Sequence, residues 1–302
     1  MSLITIGTVA LDNLETPAGK KENLLGGSGS HFAVCARLFT DVHLVSVVGK
    51  DFPKKHLTLL QSKGINLTSV IIREGQTFAW TGEYKKDDLN TAITHTTTLG
   101  VLENYNPQVA TEQRNIPNVF MANFDPDIQM KFLQLMSKPK FIGMDTMNLW
   151  IDIKNASLKK LMKKVHMLIV NDGEARQLTE ETNLHLAAKA LCKMGPRMVV
   201  VKKGENGVLF YSKDHHFAFS AYPVEKVVDP TGAGDSFAGG IMGYLSKVGR
   251  VTQKDLHKAI LYATTLSSYN VEGFGMAKTA PLDMTKVNAR LKELRKHIMP
   301  VV

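Results

Sequence analysis

Hydrophobic positions recur along this chain with two periods. Short runs of apolar or β-branched residues at 4–7, 43–48, 118–122, 140–145, 166–170 and 197–202 read as strands. Other stretches place apolar residues three or four positions apart, the spacing of one helix face. One is 28–39, with Phe32, Ala33, Ala36 and Phe39 on one side. Another is 54–63, opened by Asp51 and Pro53 and stopped at Gly64. A third runs from about 184 to 194, and helices are expected after the strands at 118–122, 140–145 and 166–170. Two late runs, 208–211 and 217–221, look like a hairpin, and helical stretches at 235–247, 253–269 and 283–298 close the chain. Strands alternating with helices predict an α/β fold with a mostly parallel central sheet and helices on both faces. The uninterrupted apolar character of the strands fits burial on both sides.

Two segments break this alternation. Residues 11–25 are polar and interrupted by Pro17 and Gly19. Within 76–99, the runs 78–84 and 92–98 look β-like around a charged turn at 85–90. A small β lid over the sheet's edge is expected from them, with an ordinary surface hairpin as the plainer reading.

Length allows about two domains of ~150 residues, but no linker, low-complexity run or internal repeat divides the 302 residues, and one unit spanning 1–302 is expected. No apolar run approaches the ~20 residues that span a bilayer. The opening residues carry no basic leader, and only Cys35 and Cys192 are present, so a reduced, cytoplasmic chain is expected. The formal charge is +9. Lys159, Lys160, Lys163 and Lys164 surround Leu158, Leu161 and Met162 at helical spacing, which reads as a solvated face. With no nucleic-acid motif beside the charge, no nucleic-acid partner is expected, and no membrane partner either. A basic surface does suit a nucleoside triphosphate.

The most informative stretch is Asp229-Pro230-Thr231-Gly232-Ala233-Gly234-Asp235, followed by a helix. Gly232 and Gly234 let backbone N–H groups face a ligand, and the first N–H groups of the helix lack intrahelical partners. The helix dipole favours negative charge at that end, so a phosphate fits there. Asp235 puts a carboxylate beside it. A phosphate cradle next to a carboxylate base is what phosphoryl transfer to an alcohol requires. The competing reading is a favourable first-turn charge and nothing more.

This motif closely resembles the signature of the ribokinase-like carbohydrate kinases, the phosphofructokinase B family. The resemblance implies an ATP-dependent kinase for a small-molecule acceptor, with Asp235 as the base that takes the hydroxyl proton. Gly232, Ala233 and Gly234 become the anion hole. Asp12 and Asn13 after the first strand, then Gly26 and Gly27 before a helix, resemble the family's sugar-binding signature and imply contacts with acceptor hydroxyls. At position 31 this chain has His31 where many sugar kinases of the family carry Asn, which leaves the sugar's identity open. No Lys or Arg lies between Gly26 and Ala33, and this favours a neutral acceptor.

Asn171 and Glu174 form a helix-capping pattern, and they also match the family's motif for magnesium and nucleotide phosphates. Magnesium needs few protein oxygens, so one Glu acting through water suffices. By the same resemblance Lys202, Gly204 and Gly207 contact nucleotide, Gly273 and Gly275 flank the adenine, and Asp229 lies beside a potassium or sodium ion. Hairpin-turn and surface-lysine roles compete for Lys202, Gly204 and Gly207. The family also implies a lid and a homodimer formed through it. A sugar or sugar acid is the first acceptor to consider. A polyol such as inositol, or a nucleoside cradled by Phe78, Trp80 and Tyr84, stays open, as does a catalytically silent nucleotide-binding protein. The chain lacks the P-loop pattern and a G-x-G-x-x-G after its first strand, and no Cys or His spacing suggests zinc.

Overall fold

A computed structural model of the chain describes residues 2–298. In chain order its elements begin with β1 (Ser2–Ile6), β2 (Ala10–Thr16), β3 (Gly19–Gly26), α1 (Ser28–Ala36), β4 (Asp41–Gly49), α2 (Lys54–Ser62), β5 (Asn66–Arg73), β6 (Ala79–Lys85) and β7 (Asp88–Thr98). There follow β8 (Asn118–Met121), α3 (Pro126–Leu135), β9 (Phe141–Asp145), α4 (Asn148–Ile153), α5 (Asn155–Met162), β10 (Met167–Asn171), α6 (Asp172–Thr179) and α7 (Leu184–Lys193). The last are β11 (Met198–Lys202), β12 (Val208–Ser212), β13 (His216–Phe219), α8 (Ala233–Val248), α9 (Gln253–Asn270) and α10 (Met284–Ile298).

The main sheet runs β13-β12-β11-β10-β9-β8-β1-β4-β5. Its strands from β11 to β5 pair in parallel, and β12 and β13 add an antiparallel edge. Alternation along each strand feeds two cores. Leu3 and Val200 pack with α1, α8 and α9 on one face, while Ile4, Ile6, Val199 and Val201 pack with α3, α5 and α7 on the other. The apolar runs read as doubly buried strands are therefore doubly buried. The strand β5 was not evident in the sequence: it lies at the sheet's edge and is half exposed, so it lacks the buried-strand signature.

On the first face, α8 packs tightly between α1 and α9. Side chains are absent where the helices touch: a Cβ on Gly239 would overlap the Phe32 carbonyl, and one on Gly240 would come 2.6 Å from the Ala263 Cα. This close approach sets the start of α8 beside α1.

The two segments outside the alternation build a second sheet, ordered β3-β2-β6-β7. It is mixed: β2 and β6 run parallel, and the outer pairs run antiparallel. The charged turn between β6 and β7 is tighter than expected, since Lys85 already pairs with Asp88. From β7, Asn90 reaches across to the loop after β11 and donates a 2.8 Å hydrogen bond to Glu205.

Candidate active site

The carboxyl ends of the parallel strands carry the site. Asn171 and Lys202 are register partners at the ends of β10 and β11, and Asp145 ends β9 next to them. The first turn of α8 faces them. The Lys202 ammonium stands 2.7 Å from where a Cβ on Gly234 would lie. It makes no ion pair within 4.0 Å among the described residues, although Asp145, Glu174 and Asp235 all feel its charge.

Gly232 caps α8 with φ 74°, a left-handed conformation that glycine adopts without strain. A side chain there would also overlap the His31 ring. The Ala233 N–H donates to the Pro230 carbonyl at 3.1 Å, so this member of the expected anion hole is engaged within its own loop. The Gly232 and Gly234 N–H groups have no partner among the described residues. Asp229 is fully buried and clamps the loop: one oxygen accepts from the Thr231 N–H at 2.9 Å, the other from the Gly275 N–H at 2.8 Å. Gly275 is thereby tied to the acidic loop, beside Leu24 and Leu25, and its N–H is not free for a nucleotide.

On the opposite side, the Asp12 carboxylate lies flat against Gly26, where no side chain could fit. Asp12 is buried, and its pKa is pushed up from 3.8 to about 7. Burial contributes most, then the charges of Asp229 and Asp235, while the Gly27 N–H opposes the rise. No Lys or Arg acts on it. Asp12 and Trp80 are register partners on β2 and β6, and Tyr84 lies two pleats further on the same face. The Tyr84 hydroxyl is 3.4 Å from Thr231 Oγ1. Burial, with Asp229, Asp12 and Asp235 nearby, pushes its pKa up to about 12. Asn13 does not join this cluster. It points to the other face of β2, where its amide donates to Thr81 at 3.1 Å and accepts from the Asn23 N–H at 2.9 Å.

His31 is buried in α1, and burial lowers its pKa against the pull of Asp235 and Asp229. Asp235 sits higher than an ordinary Asp: burial raises it, and His31 and Lys202 hold it back. Glu174 is buried in a capping box, with Asn171 Oδ1 accepting from its N–H and its Oε2 accepting from the Asn171 N–H, both at 2.7 Å. Its carboxyl is also raised by burial and lowered in part by Lys202. Gly204 and Gly207 shape the turn from β11 to β12. Gly204 abuts Asn90 of the second sheet, and a Cβ on Gly207 would overlap the Phe219 carbonyl. Gly273 packs against Lys278.

Sequence reading missed Asp145. It is buried, one oxygen has no partner, and its pKa is pushed well above the ordinary value by burial and then by Asp235. Among the described residues no three His, Cys, Asp or Glu groups could hold a metal by themselves. Asp145 and Glu174 are nevertheless two buried carboxylates, Glu174 near enough for its charge to act on Asp145, and hard oxygens of this kind suit a magnesium ion that keeps waters and phosphate oxygens. A cavity of about 610 Å³ lined by Lys189, Arg197 and Lys213 lies at the opposite end of β11, away from these carboxylates. No helix among the described residues is long and apolar enough to cross a membrane.

The arrangement has an unpartnered ammonium and two free N–H groups on one side of Asp235. On the other lies an acidic pocket where, among the described residues, no Lys or Arg acts on Asp12. Comparison with known proteins identifies the family. The model of the pfkB family carbohydrate kinases matches residues 11–282. The cytidine kinase of Thermococcus kodakarensis is 31% identical over 254 residues, covering 82% of this chain and 89% of that protein. A nucleoside kinase of Methanothermobacter thermautotrophicus is 27% identical over 297 residues, covering 92% of each. Among solved structures, a candidate ribokinase II from E. coli, in complex with ATP and Mg2+, superposes with a TM-score of 0.81 at 20% identity, covering 97% of this chain and 99% of that one.

Proposed function

The chain belongs to the pfkB family of carbohydrate kinases and phosphorylates a hydroxyl group, and on that premise we propose that its acceptor is a neutral ribonucleoside and its donor ATP. The observation that carries the acceptor class is the inner face of the second sheet, where Asp12 shares a face with Trp80 and Tyr84. A carboxylate there can accept from two vicinal sugar hydroxyls while the aromatic rings receive a base. Asp229 and Asp235 add negative charge at Asp12, and among the described residues no Lys or Arg offsets it there, so an acceptor bearing a phosphate or carboxylate on that side would be repelled. The two relatives described above are nucleoside-type kinases that align along most of this chain.

In this reading Asp235 takes the proton of the attacking hydroxyl. General-base assistance of this kind contributes about 10²–10⁴-fold. The N–H groups of Gly232 and Gly234 receive the oxygens of the transferring phosphoryl group, and Lys202 offsets the charge that spreads over them. Magnesium, bound with the nucleotide, supplies further charge neutralisation; Glu174 and Asp145 are the residues that would hold it, directly or through water. Asp229 keeps the loop in shape, and any monovalent cation beside it would act on a carboxylate already holding two N–H groups. The second sheet serves as a lid: it carries Asp12 at one end and touches Glu205 beyond β11 at the other, which would exclude water as a competing acceptor. The exposed edge of β7 is where a second copy would pair if the chain dimerises.

The test is ATP consumption over a panel of nucleosides, free sugars, sugar acids and polyols. Turnover with a ribonucleoside is expected. Turnover confined to free sugars or polyols would overturn the acceptor class. ATP binding with no turnover on any acceptor would favour a silent nucleotide-binding protein.

A further inference from the structure

Asn270, the last residue of α9, is fully buried, and both ends of its amide are engaged. Its Nδ2 donates to the Thr231 carbonyl at 2.7 Å. Its Oδ1 accepts from the Ser236 hydroxyl at 2.9 Å and lies 3.2 Å from His31 Nδ1. One side chain thus ties together the anion-hole loop, the first turn of α8, and α1. A carbonyl can only accept, so the atom of Asn270 facing Thr231 is the amide nitrogen and the oxygen faces His31. The proton of the His31 ring must then sit on Nδ1. In the neutral ring Nε2 is an acceptor, and in this structure it is buried with no partner.

The opposite charge that acts most strongly on His31 is Asp235, and the one that acts most strongly on Asp235 is His31. Nε2 has no hydrogen-bond partner among the described residues, so the ring acts on Asp235 through charge, and an imidazolium there would weaken the base. We propose that Asn270 is a positioning residue: it fixes the neutral His31 ring as the Nδ1–H tautomer, with Nε2 bare, and seats the Thr231 carbonyl with the same amide. The consequence for the rate rests on Asp235 being the base, but the tautomer does not. The other titratable groups facing the pair are Cys35 from α1, Asp229 from the loop, Asp12 from β2, Tyr84 from β6, Asp145 from β9, Glu174 from α6 and Lys202 from β11.

The experiment is ¹⁵N NMR of the histidine rings in the full chain at neutral pH, with His31 assigned by the signal lost in His31→Asn. Protonated Nδ1 and bare Nε2 are expected; Nε2–H or an imidazolium would overturn the proposal. Asn270→Asp then supplies a second arm. A carboxylate against Nδ1–H stabilises a second proton on the ring, so the His31 pKa read in the NMR titration should rise by about one unit or more, the size of effect one close opposite charge produces. A ring pKa that stays in place or falls in a folded variant would refute the contact between Asn270 and Nδ1. If this variant does not fold, the wild-type spectrum decides. Should Asp235→Asn retain activity, the base assignment fails while the tautomer result stands.

Discussion

Replacing Asp12 with Asn should stabilise the ligand-free protein, and do so more at high pH than at low. In the folded chain the Asp12 carboxyl is raised from an ordinary value of 3.8 to about 7. A raised carboxyl pKa means that the folded state favours the protonated form. The stabilising effect of that proton is complete below pH 3.8 and lost as pH rises through about 7. At pH 8 the ionised group therefore costs the fold about 4 kcal/mol, at about 1.4 kcal/mol per pH unit. At pH 5 the folded carboxyl keeps its proton, and the cost falls to about 1.6 kcal/mol. Asn is nearly the same size, can still accept from the Gly27 N–H, and carries no charge. With an unfolding entropy of about 0.6 kcal/mol/K for a chain of this length, the thermal midpoint should rise by up to about 7 °C at pH 8 and about 3 °C at pH 5. The assay is thermal unfolding by circular dichroism at both pH values without ligand. The same variant should raise KM for the acceptor at least about tenfold, since hydrogen bonds to a charged group are worth about 1.5–3 kcal/mol. A lower midpoint at pH 8, or an equal gain at both pH values, would refute the idea that the acidic pocket is strained until an acceptor fills it.

Other consequences follow from the same geometry. Gly232→Ala places a Cβ on the His31 ring at a left-handed position, so kcat should fall at least about 10²-fold with the midpoint lowered by an amount equal to about 1–2 kcal/mol; unchanged kcat would remove Gly232 from the anion hole. Lys202→Met takes away the charge that holds down Asp145, Glu174 and Asp235. The variant should lose more stability than wild type as pH rises, because these raised carboxyls then ionise without the ammonium, and bind ATP at least about tenfold more weakly, read by pH-dependent unfolding and calorimetric titration. A midpoint that follows the wild-type pH dependence, with wild-type ATP affinity, would exclude Lys202 from the phosphate side.

Some of this was legible in the sequence because its signals are local. The glycine loop and Asp235 are contiguous, and the alternation of buried strands with helices shows in windows of a dozen residues. The family and the α/β architecture follow from those features. Asp145 was hidden because it ends an ordinary buried strand, and only the order β9-β10-β11 sets it beside Lys202 and Glu174. Asn13 misled because adjacency to Asp12 in sequence means opposite faces in a strand. Asn270 left a trace that went unread: Ala259, Ala263, Leu266 and Asn270 follow the spacing of a buried helix face, and a polar residue in such a stripe signals a buried hydrogen-bond network. Its partners His31 and Ser236 lie 239 and 34 residues away, beyond any local pattern.

Phosphoryl transfer in a single turnover, with wild type and Asp235→Asn compared at saturating ATP and the best acceptor from the panel, tests the central claim most directly. The account predicts a loss of at least about 10²-fold in the chemical step, with ATP affinity preserved, because Asn keeps the size of Asp and removes the base. Transfer at the wild-type rate by a folded Asp235→Asn protein would contradict it, and with it the mechanism built on this carboxylate.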